Sequence, residues 1–485
     1  MKKFAPVLLM GFSVRPPALR IALLLLLCGL IALPSSAEDA KTLSLDTFGK
    51  FFAHEYEYIL RETEGEARKN EPVEITLTMP GNPPDTWREH VRVLRVKNKN
   101  QGILVPHQIM GEVQAGSPDT QQPFPATSIN VIFLADCAAG KQVTYRLFWG
   151  LPEGGKTVEL PSASVDDGLK ITGDAPGLTI ENDFYHIKLS PTSGAIQRIH
   201  TNFQTSDTEM FYRTLPVHFG VDIWSPGQAW DHDYDWPLPP NQKVEGGPLA
   251  LRYQRWGPLQ TYQDVEVSIT YTFYAHNPYV QVSSTMRLTK DRSAHAIRMG
   301  EIVVSHSRKP STDSEGVDEK NPEIFTHYGW PNGKGGIVKR IINTHRNAKG
   351  EAVVEGQVTG TLGVLDRDVP WVAGYNADED FGIATLRKHQ FAGNYLGGVT
   401  PQSAPCTYLG QYGWGFIYWS RPMVYPMGEA KSPLDLNTAV AAGTLFATEE
   451  ALLLFKPDRS LSEVRSRSLQ FTKPLRFEFK GTGPW

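Results

Sequence analysis

The chain has 485 residues, a formal net charge of −4 and 40% hydrophobic residues. That length predicts two or three domains, and the negative balance excludes general nucleic-acid binding. Eleven Trp, eighteen Tyr, 43 Gly and 36 Pro are the composition of a large β protein rich in turns.

Residues 1–37 read as a signal peptide. Lys2, Lys3, Arg15 and Arg20 make a positive region, residues 21–33 an apolar core, and Ser35-Ser36-Ala37 a cleavage site before Glu38. The apolar run is too short to span a membrane comfortably. Cys28 is preceded by Leu27, bulky where a lipoprotein signal needs a small residue, so the expectation is export to the periplasm or medium, not lipid anchoring. The leader holds four positive and no negative side chains, so the remaining 448 residues carry −8. Cys137 and Cys406 remain, and the sequence leaves open whether they pair or stay as two thiols. No further apolar run is long enough to cross a membrane, and no oligomeric state follows from the sequence.

Residues 38–69 read as a helical or extended segment, with one short helix predicted over 43–61 from the spacing of Phe48, Phe51, Phe52, Tyr56, Ile59 and Leu60. From 70 to 150 the texture is β: residues 73–79 alternate strictly, 91–96 nearly so, and 131–134 and 143–149 follow. Residues 151–177 are rich in Gly, Pro, Ser and Asp and read as a linker. Within 178–485 nearly everything is strand and turn. Tyr185, Ile187 and Leu189 alternate with Phe184, His186, Lys188 and Ser190; Ser190–Gly194 then turns the chain into a second strand over 195–199. Residues 265–274 and 279–288 form an antiparallel pair, further strands fall at 382–386, 415–419 and 444–448, and 306–323 reads as an exposed loop. No βαβ alternation occurs, which excludes a parallel α/β enzyme.

Two motifs are decoys. Gly150–Thr157 matches a P-loop in letters, but Val158-Glu159-Leu160-Pro161 follows where a helix must open to cradle phosphate. His54-Glu55 begins a zinc-protease pattern whose second His is missing.

The hairpin at 180–199 resembles the entry hairpin of the galactose-mutarotase-like β-supersandwich, found in many polysaccharide lyases and at the C-terminal side of α-mannosidases. The strand order in 70–150, with Gly102-Ile103-Leu104-Val105-Pro106-His107-Gln108 between strands, resembles the small β-domain preceding the supersandwich in mannosidases and exo-acting rhamnogalacturonan lyase-like proteins. The resemblance implies an all-β fold: a small N-terminal β-barrel or sandwich domain, then a large antiparallel β-supersandwich. It implies a carbohydrate ligand, and for lyases of this class His/Tyr/Arg chemistry on uronates. No family catalytic motif maps residue for residue, and no amphipathic helical array of the kind that completes larger lyases is present. Fold does not settle function.

Three constellations carry candidate chemistry. In Trp230–Trp236, alternate side chains of an extended loop share a face, so Asp231, Asp233 and Asp235 could converge on a hard cation such as Ca²⁺, while Trp230, His232, Tyr234 and Trp236 offer sugar-stacking and polar contacts, with Trp256 and Trp330 as further platforms. The alternative is a surface loop whose acids cap turns and whose tryptophans pin it to the body. The second runs from His327, Tyr328 and Trp330 through Lys334, Lys339 and Arg340 to His345 and Arg346, a basic patch that would attract a polyanionic sugar. The third holds Arg387, Lys388 and His389, then Tyr395, Tyr408, Tyr412, Trp419 and Arg421. Elimination at a uronic acid needs a cation to stabilise the enediolate and a base to take the C5 proton. The expectation is therefore a lyase acting on an acidic polysaccharide or oligosaccharide. His327 or His389 would work with Tyr328, Tyr395 or Tyr408 as base and acid, and Arg346, Arg387 or Arg421 would neutralise the carboxylate. The rival readings are a non-catalytic carbohydrate-binding protein and a mutarotase- or epimerase-like enzyme, which needs a His and a carboxylate facing one small pocket.

Overall fold

A computed structural model describes residues 42–80, 90–115, 126–150, 163, 168–204, 210–211, 218–305, 324–342, 344–346, 352–354, 364–365, 368–398, 400, 407–412, 416–424 and 437–480. The expected leader, residues 151–157 of the P-loop match, the 306–323 loop and Cys406 lie outside these residues. The Cys137 thiol is buried and donates to the Lys141 carbonyl at 3.3 Å.

The first layer pair is a six-stranded and a three-stranded antiparallel sheet. Alternation in the Arg68–Pro80 strand buries Val73, Ile75 and Leu77 against Val131, Phe133 and Leu147. The predicted helix is shorter than its spacing suggests: it covers only Leu45–Gly49, capped by Ser44, and His54–Arg61 is a strand. Tertiary pairing overrides propensity there, because His54–Arg61 lies between Gln142–Trp149 on one side and Arg476–Lys480 on the other. The chain's last strand thus joins the first sheet instead of the large sandwich that precedes it. Beneath this sheet Arg68 bonds Glu62 at 3.1 Å and Glu71 at 3.2 Å, all three buried.

The large part is all-β as expected, with antiparallel sheets of five, six and nine strands sharing one core. The entry hairpin forms from Tyr185–Leu189 and Ile196–Thr201. Gly194, at φ +70°, closes its turn, and a Cβ there would strike the Tyr253 hydroxyl. In the nine-stranded sheet, Val265–Tyr274 pairs antiparallel with Tyr279–Leu288 as expected. The Thr444–Phe455 strand ends in an unbroken apolar run because both its faces are covered: Leu452 and Leu454 face the sandwich core, while Ala451, Leu453 and Phe455 pack under the Ser462–Thr472 helix with Val464 and Phe471. No helix among the described residues is long and apolar enough to cross a membrane.

Candidate functional site

The six-stranded sheet of the large part, which holds the His218–Trp224 and Ala296–Ser305 strands, carries the densest polar and aromatic cluster among the described residues on the face turned from the core. In the His218–Trp224 strand, Phe219, Val221 and Ile223 enter the core, so Asp222 and Trp224 take the opposite face. Register places His232 opposite Asp222 on one side and Arg298 opposite it on the other. Three strands thus align His232, Asp222 and Arg298 in one row.

Arg298 Nε lies 3.0 Å from each Asp222 oxygen, and its Nη2 also bonds that carboxylate. Its Nη1 is 3.0 Å from Glu301 Oε1, and its guanidinium carbon is 4.2 Å from the Trp230 ring centroid. Asp222 and Glu301 are both buried. Burial drives the Glu301 carboxyl well above its ordinary range, and the Asp222 charge adds to this against the opposing pull of Arg298. Asp222 moves the other way: burial raises it, but Arg298 and a hydrogen bond from Glu301 outweigh burial and hold it low. The two shifts together favour the proton on Glu301 and the charge on Asp222.

Above this pair, His232 Nδ1 is 2.9 Å from Asp235 Oδ2 and Nε2 is 3.7 Å from Asp222 Oδ2, with the side chain 17% exposed. The tautomer in which Nδ1–H donates to Asp235 leaves Nε2 as the nitrogen whose lone pair can accept a proton. The imidazole stacks on Tyr234 at 4.6 Å and lies 6.3 Å from Trp230, which stacks on Trp224 at 5.2 Å. His295 meets Trp224 edge-on at 5.0 Å. A half-exposed row of rings thus includes a histidine flanked by two carboxylates, an arrangement suited to binding an apolar sugar face and moving one proton.

Trp230, His232 and Tyr234 are brought together as expected from their spacing; the Asp set is not. The chain leaves extended geometry for a 3-10 turn at Asp233–Asp235, so the carboxylates diverge. Asp231 accepts the Thr261 and Tyr262 N–H groups, Asp233 pairs with Arg255 and accepts the Val221 N–H at 2.8 Å, and Asp235 holds His232. Among the described residues no group of His, Cys, Asp and Glu is arranged to hold a metal. Trp236 turns into the core, its Nε1 donating to the Pro258 carbonyl at 2.8 Å. Trp256 is half-buried on the other sheet, in the Ala250–Pro258 strand, where alternation sets it opposite buried Arg255.

The second constellation divides across a strand. His327 and Tyr328 are neighbours, so they face opposite ways. His327 stacks on Tyr375 at 5.3 Å toward the helix side, whereas Tyr328 and Trp330 are buried in the sandwich core. Lys334 and Arg340 belong to the exposed hairpin beyond, while Arg346 has its side chain outside the described residues. In the third, Arg387 and Arg421 do meet, but fully buried. Arg421 bonds Asp368 and lies 3.4 Å from Glu450; Arg387 lies 3.7 Å from Asp368 and 3.8 Å from Glu450. Two carboxylates lie between the two guanidiniums, and burial pushes the Glu450 carboxyl above its ordinary range. Tyr395 is 60% exposed at a turn braced by Asn394, and the side chains of His389 and Tyr408 lie outside the described residues.

Asp222, Trp224, Arg298 and Glu301 escaped the sequence reading. The signal for the first two was present: Phe219-Gly220-Val221-Asp222-Ile223-Trp224 alternates cleanly and puts an acid and an indole on the polar face just before the Trp230 cluster.

No family model matches this chain, and no curated protein matches it. Among solved structures, it is similar to a protein of glycosyl hydrolase family 38 from Enterococcus faecalis, at 13% identity and TM-score 0.46 over 90% of this chain and 48% of that one. An α-mannosidase from Enterococcus faecalis V583 gives 12% identity and TM-score 0.47, over 90% of this chain and 47% of the mannosidase. The chain thus spans about half the length of these two proteins. A galactose mutarotase-like protein from Lactobacillus casei is matched over its whole length and 59% of this chain, at 13% identity and TM-score 0.31.

Proposed function

We propose that this protein handles a carbohydrate at the ring row of the six-stranded sheet and moves a proton on a reducing sugar there, in the manner of a mutarotase or epimerase. One observation carries the reading: His232 stands between Asp235 and Asp222 at the end of the Trp224–Trp230 stack, above the buried cluster of Asp222, Arg298 and Glu301. The apolar face of a pyranose lies on the exposed rings, and Nε2 takes the proton of the anomeric hydroxyl. The imidazolium, stabilised by Asp222, returns that proton to the ring oxygen as the bond from C1 to the ring oxygen breaks. The resulting aldehyde recloses from either side, so no atom is gained or lost. Asp235 orients the ring and Arg298 fixes Asp222 beneath it; both are positioning residues.

Uronate elimination is the less supported form of the carbohydrate reading. Its carboxylate would need an available cation, and Arg387 and Arg421 are buried against Asp368 and Glu450. The test is anomer exchange of a panel of free hexoses and uronic acids measured by NMR, alongside ultraviolet detection of unsaturated uronate from acidic polysaccharides. Exchange that disappears in His232→Asn supports the reading. Unsaturated product without exchange would replace it with a lyase, and binding without either would replace it with a binding protein.

A further inference from the structure

A second feature adjoins the ring row. Arg292–Ala294 pairs with Thr438–Val440 in a two-stranded sheet, and a groove of about 490 Å³ lies against this ribbon, lined by Asp291, Arg292, Ser293, Ala439, Val440 and Ala441. Its volume falls within the roughly 300–1,000 Å³ typical of ligand clefts, and exceeds what a single pyranose ring fills.

Arg292 belongs to both places. Besides lining the groove, it donates to Gln228 Oε1 at 2.8 Å, and the Gln228 carbonyl accepts the Trp224 indole N–H at 3.0 Å. Three residues further along, His295 donates its backbone N–H to the Trp224 carbonyl at 2.8 Å while its ring meets the indole. The groove wall and the far end of the ring row are therefore one braced assembly. The chemistry of the groove is that of a neutral, hydroxyl-rich ligand. Arg292 is neutralised by a two-point contact with Asp264 and stacked 4.7 Å over the Tyr262 ring. Asp291 accepts the Ala442 N–H at 2.7 Å. The rest of the lining is small and uncharged.

We propose that this groove is an extension subsite for neutral sugar units joined to the one on the ring row, which makes the ligand a neutral oligosaccharide instead of a monosaccharide alone. The inference rests on the carbohydrate reading of that row. An extended ligand gains affinity here from stacking at Trp224 and Trp230 together with hydroxyl contacts along Ser293 and the adjoining backbone.

The test is calorimetric titration with neutral gluco-, manno- and galacto-oligosaccharides of increasing length, from monosaccharide upward. The probes are wild type, Ala439→Trp and the milder Ala439→Leu, which fill the groove from an exposed position, and Trp230→Ala. Circular dichroism melts confirm that each variant is folded. The expected result is that one series tightens by about tenfold from one unit to three in the wild type. Ala439→Trp should lose that gain and keep monosaccharide affinity, Ala439→Leu should lose part of it, and Trp230→Ala should lose both. A length gain that survives in Ala439→Trp, or monosaccharide binding with no length gain, overturns the extension subsite alone. Absence of binding to every sugar overturns the carbohydrate reading and this inference with it.

Discussion

Asp222 and Glu301 are buried under one guanidinium, that of Arg298, and the shared site moves their carboxyls apart: burial pushes Glu301 up, while Arg298 and a hydrogen bond from Glu301 hold Asp222 down. This unequal pair fixes a negative charge under His232 without requiring two buried charges, which a low-dielectric site would penalise heavily.

The pair gives stability a pH dependence of known sign. An unfolded Glu301 loses its proton near 4.5, whereas the folded carboxyl holds it well above that value. Across this window the folded chain binds more protons, so the contribution, complete below 4.5, is lost as pH rises toward the folded value. Glu301→Gln mimics the protonated form. Its thermal midpoint should match the wild type in acid and exceed it increasingly toward neutral pH, which parallel melts would read.

Glu62 behaves in the opposite sense. Burial alone would raise its carboxyl, but the N–H groups of Gly140, Glu64 and Gly65 and the Arg68 side chain hold it at about 2. A depressed value contributes stability that is present above the unfolded 4.5 and lost as pH falls through about 2. Urea unfolding of Glu62→Gln should show its largest deficit near neutrality, closing as the pH approaches that lower value.

Trp230 and Trp236, paired by sequence spacing, should separate in experiment. Trp236→Ala empties a core site and should cost about 3–5 kcal/mol in urea unfolding. Trp230→Ala should cost less, because its ring is only half-buried, and should instead abolish sugar binding in fluorescence or calorimetric titration.

A glycine guards the same region. Asp233 reaches over Gly220 to accept the Val221 N–H and to pair with Arg255, which is 0% exposed. Gly220→Ala puts a methyl group where that carboxylate stands. Displacing Asp233 leaves a buried guanidinium uncompensated, so chemical denaturation should show a loss of about 3–5 kcal/mol.

What was legible in the sequence followed from local periodicity. The hairpin at 185–201 and the 265–288 pair were read correctly because period-two alternation and turn residues specify them within a few positions. The ring row was half legible, since Trp230, His232 and Tyr234 alternate; the turn at Asp233 that scatters the carboxylates leaves no such mark. Asp222 and Arg298 are 76 residues apart and meet only through strand register, whereas Arg421 and Glu450 lie on different sheets and meet through the packing of one sheet on the other. Their burial converts apparent catalytic cations into internal ion pairs, which composition does not reveal. Tyr328 and Trp330 look like ligands in sequence because an aromatic core and an aromatic binding face are written with the same residues.

The most direct test is anomer exchange by NMR for wild type and His232→Asn across free hexoses and uronic acids, with the folded state of the variant checked by circular dichroism. Exchange accelerated by the wild type and lost in the folded variant is the outcome expected if His232 carries the proton. Equal exchange by both proteins, or no acceleration of any sugar that the wild type binds, would contradict that role.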